Sequence, residues 1–197
     1  MAYSACTAAL AANIAPNCDT PLVGGLTGRA VGIPLSPAPT VTRSAQNSRV
    51  ISDVTLAEGE KTFAIVNFGE QPFNGSASSS SADSGSIKHT KTFEFDVPKR
   101  GADVSKNIID PLVRLPRGFM VIAERTDTNG DASYIVLGAE QGLRVNADGV
   151  TSSEYERDGA THIVASCQQS NYEYSFFDTD LATTQAKFET LLSTNSL

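Results

Sequence analysis

Between His89 and Val97 the chain alternates: Phe93, Phe95 and Val97 fall at one parity, and Thr92, Glu94 and Asp96 at the other. Successive side chains of a β-strand point to opposite faces, so this stretch has the period of a strand with one face buried and one in water. Further short runs rich in apolar and β-branched residues, at 29–33, 50–56, 62–67, 119–124, 134–137, 143–145 and 162–167, read as companion strands. The signals between them are those of turns. Glu58-Gly59-Glu60, Asn129-Gly130 and Asp158-Gly159 separate strand candidates, and Asn-Gly is the strongest short hairpin signal a sequence offers.

The period changes after Val97. Val104, Ile108 and Leu112 recur at spacing four, which is one face of a helix, with Asp103 as its candidate N-cap and Pro111 set to kink or shorten it. Leu181, Phe188, Leu191 and Leu192 recur at helical spacing near the C-terminus. The expected fold is therefore mainly β, a barrel or sandwich of antiparallel strands, with one short packed helix and a C-terminal helix. Charged residues make up 19% of the chain, so Ser, Thr, Asn and Gly carry its polarity, as suits strands and loops.

Two stretches read as lying outside the core. Residues 1–28 are expected to form an extended N-terminal arm, since Pro16 and Pro21 stop any helix begun at 8–12. The remaining residues, 29–197, form one β-rich domain carrying a long Ser-rich loop at about 69–88. That stretch includes Ser78-Ser79-Ser80-Ser81 and has the composition of a flexible linker, with only Phe73 offering much to bury. Its deletion over 75–84 is expected to leave the fold intact. Pro34, Pro37 and Pro39 impose an extended edge or loop path.

Charge narrows the function. The net charge is −7 and the pI about 4.8, with the basic residues scattered. Gripping nucleic acid needs a Lys/Arg face that displaces phosphate counterions, so DNA binding is not expected, although an acidic surface would let DNA slide past. Cys6, Cys18 and Cys167 are an odd set without CxxC spacing, which argues against a disulfide scaffold or zinc site. Cys6 and Cys18 either pair or stay reduced, as a chain made in the cytoplasm favours. The first basic residue is Arg29 and Asn13 interrupts the early apolar stretch, unlike a signal peptide. No run approaches the roughly 20 apolar residues of a membrane span.

The candidate chemical groups resolve into ordinary structure. Asp127, Asn129, Gly130 and Asp131 resemble a calcium loop only loosely: counted from Asp127 the glycine is fourth and Gly138 stands twelfth, where the loop needs a glycine sixth and a glutamate twelfth. His89 and His162 are the only histidines, and nothing in sequence marks a serine and carboxylate as partners of either. His162, at an alternating position, reads as a surface or rim residue. Cys167 reads as a small buried hydrophobe. Gly24-Gly25-x-x-Gly28 lacks a phosphate-loop pattern, and Glu58/Glu60 and Glu154/Glu156 read as solvated turns. No cofactor, metal or enzymatic activity is expected.

The order strand, helix, strand, hairpin, strand from Phe93 to Cys167 resembles phage tail-tube proteins and related virion ring proteins. Phe119-Met120-Val121-Ile122-Ala123-Glu124 looks like the strand after the helix, and Thr126-Asp127-Thr128-Asn129-Gly130-Asp131 like its hairpin tip. Tyr134-Ile135-Val136-Leu137-Gly138-Ala139-Glu140-Gln141-Gly142-Leu143 looks like the following strand and turn. Arg157-Asp158-Gly159 with 161–166 is similar to the last turn and strand. The resemblance covers about half of the chain and departs from the family at Pro111. It implies a homo-oligomeric ring, hexameric or dodecameric, in a virion tail made in the host cytoplasm. Such a ring contacts other tail or connector proteins and surrounds a channel for DNA. The Ser-rich loop, with Gln71, Phe73, Asn74, Ser79 and Ser80, would then reach a neighbouring subunit. The alternative is a capsid decoration or Ig-like attachment module of a virion or cell surface.

Overall fold

A computed structural model describes residues 25–66, 73–81, 87–99, 101–127, 130–151 and 159–194. The expected N-terminal arm lies outside the described residues up to residue 24. The first strand, β1 (Leu26–Pro34), starts within the stretch expected to be arm. It is followed by β2 (Thr40–Arg43), β3 (Val50–Thr55), β4 (Phe63–Val66), β5 (Phe73–Ser81) and β6 (Ile87–Val97). After a helical segment come β7 (Phe119–Arg125), β8 (Tyr134–Leu137), β9 (Arg144–Thr151), β10 (Thr161–Gln169) and β11 (Tyr174–Phe176). A C-terminal helix closes the order.

The strands form two open sheets, one of seven strands in the order β2-β3-β11-β8-β7-β1-β4 and one of four in the order β5-β6-β10-β9. The mainly β reading with two helices therefore holds, and of the two expected forms the barrel does not, because neither sheet closes on itself. Between the sheets lies one apolar core. Phe93, Phe95 and Val97 of β6 and Ile163, Ala165 and Cys167 of β10 meet Ala30 of β1, Phe119, Val121 and Ala123 of β7 and Leu137 of β8. The alternation in β6 thus faces inward at the expected parity.

The seven-stranded sheet is buried on its other face as well. Val31 and Ile33 of β1, Met120 and Ile122 of β7 and Val136 of β8 pack under the C-terminal helix α2 (Leu181–Ser193), with Phe188 and Leu191 pointing down. Strands covered on both faces need apolar residues at both parities, which is why 119–123 shows no alternation. The helix starts at Asp180, whose carboxylate accepts from the Thr183 N–H at 2.7 Å. It is tied down by Thr62 donating to the Leu191 carbonyl at 2.5 Å and by Lys187 against Asp53 at 3.0 Å and Asp178 at 3.1 Å. An ion pair joins Arg29 of β1 to Glu189 of the helix.

The first helix departs from its expected face. The segment α1 runs through an α-turn (Ala102–Val104), a π-helical stretch (Ser105–Ile109) and a second α-turn (Asp110–Val113). Gly101 occupies the N-cap, with no side-chain cap bond, and Asp103 sits inside the first turn. The wider π-turn advances the buried stripe by one residue: Val104, Ile109 and Leu112 pack on the core, while Ile108 is 38% exposed. Pro111 is the second residue after the π-turn, which supplies the local adjustment that a proline inside a helix requires.

Three strands, β2, β5 and β11, appear where no strand was expected. β5 occupies nine residues of the stretch expected to be a Ser-rich loop and pairs with β6 without a break, from Phe73↔Phe95 to Ser81↔Ile87. The alternating, well-packed β6 offers a full ladder, and that context overrides the poor strand propensity of Gly and Ser. β11 runs parallel to β3 and antiparallel to β8, carrying the C-terminal part of the chain into the middle of the larger sheet. The β7–β8 hairpin is present, although Asn129 lies outside the described residues. Gly130 opens a 3₁₀ turn to Ala132, so the link is longer than a two-residue turn. Gly32 is needed for contact: a Cβ there would meet the Phe63 ring at 2.2 Å, and that ring stacks edge-on against Phe119 at 5.4 Å.

Candidate functional site

The residues expected to carry assembly lie on the outer strand of the four-stranded sheet. Phe73, Asn74, Ser79 and Ser80 belong to β5, and Gln71 lies outside the described residues. Deleting 75–84 would remove seven residues of this outer strand, where a loop was expected. β5 differs from the other strand edges. β2 is four residues long, carries Arg43 and has a register shift between Thr42 and Arg43. β4 is also four residues long. β9 carries Arg144 and Asp148, and its register with β10 breaks between Ile163 and Ala165. Short length, charge and bulges are how sheets prevent unwanted pairing at an edge. β5 has nine residues in continuous register and no charged residue, and among the described residues no strand pairs with its outer side.

The inward face at this end of the sheet is polar. Ser79 and His89 are register partners, with Ser79 Oγ 2.7 Å from His89 Nδ1. The imidazole meets the Tyr172 ring edge-on at 5.6 Å, and the Lys91 ammonium lies 4.0 Å over the same ring. Lys91 is 2% exposed, and burial lowers its pKa against the opposing pull of Glu173. Beside it across the ladder stands Cys167, free and buried, whose thiol is pushed up to about 11 by burial. A thiol so raised stays protonated at neutral pH and is a poor nucleophile.

On the opposite face and at the far end of β6 stands the second histidine. His162 is 8% exposed, which corrects its reading as a surface or rim residue: its ring is held by Asp96, with Nδ1 2.8 Å from Oδ1, and approaches Glu94 at 3.9 Å. A hydrolytic triad needs serine, histidine and carboxylate in one hydrogen-bonded line. Here the Ser–His pair and the His–Asp pair are set on opposite faces of β6, seven residues or about 23 Å apart at strand rise. They do not form one site. Among the described residues no group of three or more His, Cys, Asp or Glu is placed to hold a metal ion. No helix among them is long and apolar enough to cross a membrane.

A further polar cluster is built around Glu140, on the turn after β8. Its carboxylate accepts from the Ser170 N–H at 2.8 Å, the Ser170 hydroxyl at 2.7 Å, Asn171 Nδ2 at 3.3 Å and the hydroxyl of the buried Tyr174. Burial alone would raise its pKa, and these donors, the Ser170 N–H foremost, outweigh that and hold it below the usual range. The cluster ties the turn after β8 to the link between β10 and β11. Its donors hold the turn and the link together and stabilise the ionised carboxylate.

Sequence reasoning missed Lys91 although a signal was present: it shares the parity of Phe93 and Phe95, which puts an ammonium on the buried face. No family description, curated protein or solved structure matches the chain.

Proposed function

We propose that this chain is a structural subunit that assembles with copies of itself into a ring or tube, of the kind phage tails use to enclose a channel for DNA. The observation that carries this reading is the outer edge of β5, nine residues long, uncharged and in unbroken register. An edge of that kind pairs with another strand unless something covers it. Closed point-group assembly satisfies such edges through neighbouring subunits. The net charge of −7 fits a channel past which DNA slides without sticking.

Light scattering and negative-stain microscopy of the purified chain test the reading, with hollow rings as the expected result. Prolines placed singly at Ser78 and Ser79 test the edge itself, since successive backbone amides point to opposite sides of a strand. One of the two variants keeps its fold and fails to assemble, and the other loses a ladder bond to β6. Rings formed undiminished by both variants would remove β5 from the interface. A discrete monomer or trimer, unaltered by either proline, would favour the alternative of a capsid decoration or attachment module.

A further inference from the structure

A pocket of about 580 Å³ opens where β6, β10 and the start of β9 meet the turn after β8. Two guanidinium groups line it, from Arg117 and Arg144. Arg29, Arg125 and Lys187 all have carboxylate partners within ion-pair distance, whereas among the described residues Arg117 and Arg144 have none. The one acidic side chain of the lining is Glu140, and its oxygens are already occupied by four donors. Thr90 and Ser166 add hydroxyl groups to the wall. In a chain of net charge −7, this is a local surplus of positive charge facing a cavity.

The backbone brings the two segments that carry these arginines together. Phe119 and Leu143 exchange both backbone hydrogen bonds, at 3.0 and 2.7 Å. That crossing is possible because Gly118 and Gly142 flank it: a Cβ on Gly118 would lie 2.1 Å from the Leu143 carbonyl oxygen, and one on Gly142 would lie 2.1 Å from that of Arg117. Arg144 donates from Nη2 to the Pro116 carbonyl at 3.2 Å, which anchors one corner of its guanidinium and leaves its other N–H groups available. Arginine forks recognise planar or tetrahedral oxyanions through paired N–H donors.

We infer that this pocket is a binding site for an oxyanion, a phosphate or carboxylate group gripped between Arg117 and Arg144. The group arrives either on a free solute or as an acidic side chain of a second copy. Titration calorimetry of the full chain with inorganic phosphate, at constant ionic strength, tests it. The unmodified chain binds phosphate, and Arg117→Gln with Arg144→Gln weakens binding about tenfold or more, the loss expected for charge-assisted hydrogen bonds. Arg117→Gln alone, which leaves the Pro116 contact intact, gives an intermediate loss and guards against misfolding of the double variant. Arg49→Gln, at an exposed position away from the pocket, leaves binding unchanged. A phosphate affinity that falls as protein concentration rises identifies the carboxylate of a second copy as the natural occupant, and one independent of concentration identifies a free solute. No phosphate binding, or equal weakening by Arg49→Gln, overturns the site.

Discussion

The two sheets of this protein solve the same packing problem with opposite surfaces. In the seven-stranded sheet, β1, β7 and β8 are covered on both faces, by the other sheet and by α2, and their residues are apolar at both parities. In the four-stranded sheet only one face meets the core. The other carries Thr90, Thr92, Glu94 and Asp96 on β6 and Ser166 and Gln168 on β10, and its outer edge is the Ser-rich β5. The first sheet has its stability built in. The second has one face outside the core and one long edge among the described residues, and the proposed assembly rests on that contrast.

Substitutions on the two sheets should separate accordingly. Ile122→Ala, in β7 and fully buried under α2, should cost about 3–4 kcal/mol in urea unfolding. A cost under about 1 kcal/mol would show that α2 covers the sheet loosely. An intermediate effect belongs to Glu140, whose cluster joins β8 to the β10–β11 link. Its carboxyl is held lower in the folded than in the unfolded chain, so an unfolded chain takes up the proton first as pH falls. Its contribution is therefore present above the ordinary carboxylate range and disappears as pH drops through the folded value. Glu140→Gln should lower stability at neutral pH by about 1–2 kcal/mol and flatten the acid side of the stability profile. An unchanged slope would assign that slope to other carboxylates. The smallest effect on stability is expected at the exposed Ser78 of β5, where lysine should change unfolding by no more than about 0.5 kcal/mol while reducing assembly. If Ser78→Lys unfolds the chain instead, β5 is part of the stable core and the contrast between the sheets fails.

What could be read in advance depended on how far apart the decisive residues stand. The β6 strand was legible because its own alternation decides which face is buried. The α1 helix was legible in place but not in phase: the π-turn at Ser105–Ile109 moves burial from Ile108 to Ile109, and spacing four cannot express that shift. β11 was missed because three residues carry no period and its pairing with β3 is parallel and distant in sequence. β5 was read as a loop because Ser and Gly report the absence of local preference, while its strand character comes from the ladder that β6 supplies. Of the candidate assembly residues, Phe73, Asn74, Ser79 and Ser80 therefore lie on a strand where a loop was expected. The pocket between Arg117 and Arg144 left no sequence signal, since a crossing of two distant segments at Gly118 and Gly142 creates it.

The most direct measurement is amide hydrogen exchange of β5 in dispersed and assembled protein. Alternate amides over 73–81 are bonded to β6 in either state, and the others face outward from the edge. The outward set should exchange freely in the dispersed chain and become protected on assembly, while the amides of β7 remain protected in both. Exchange over 73–81 that is the same in the two states would contradict the account, because the open edge would then not be where the copies meet.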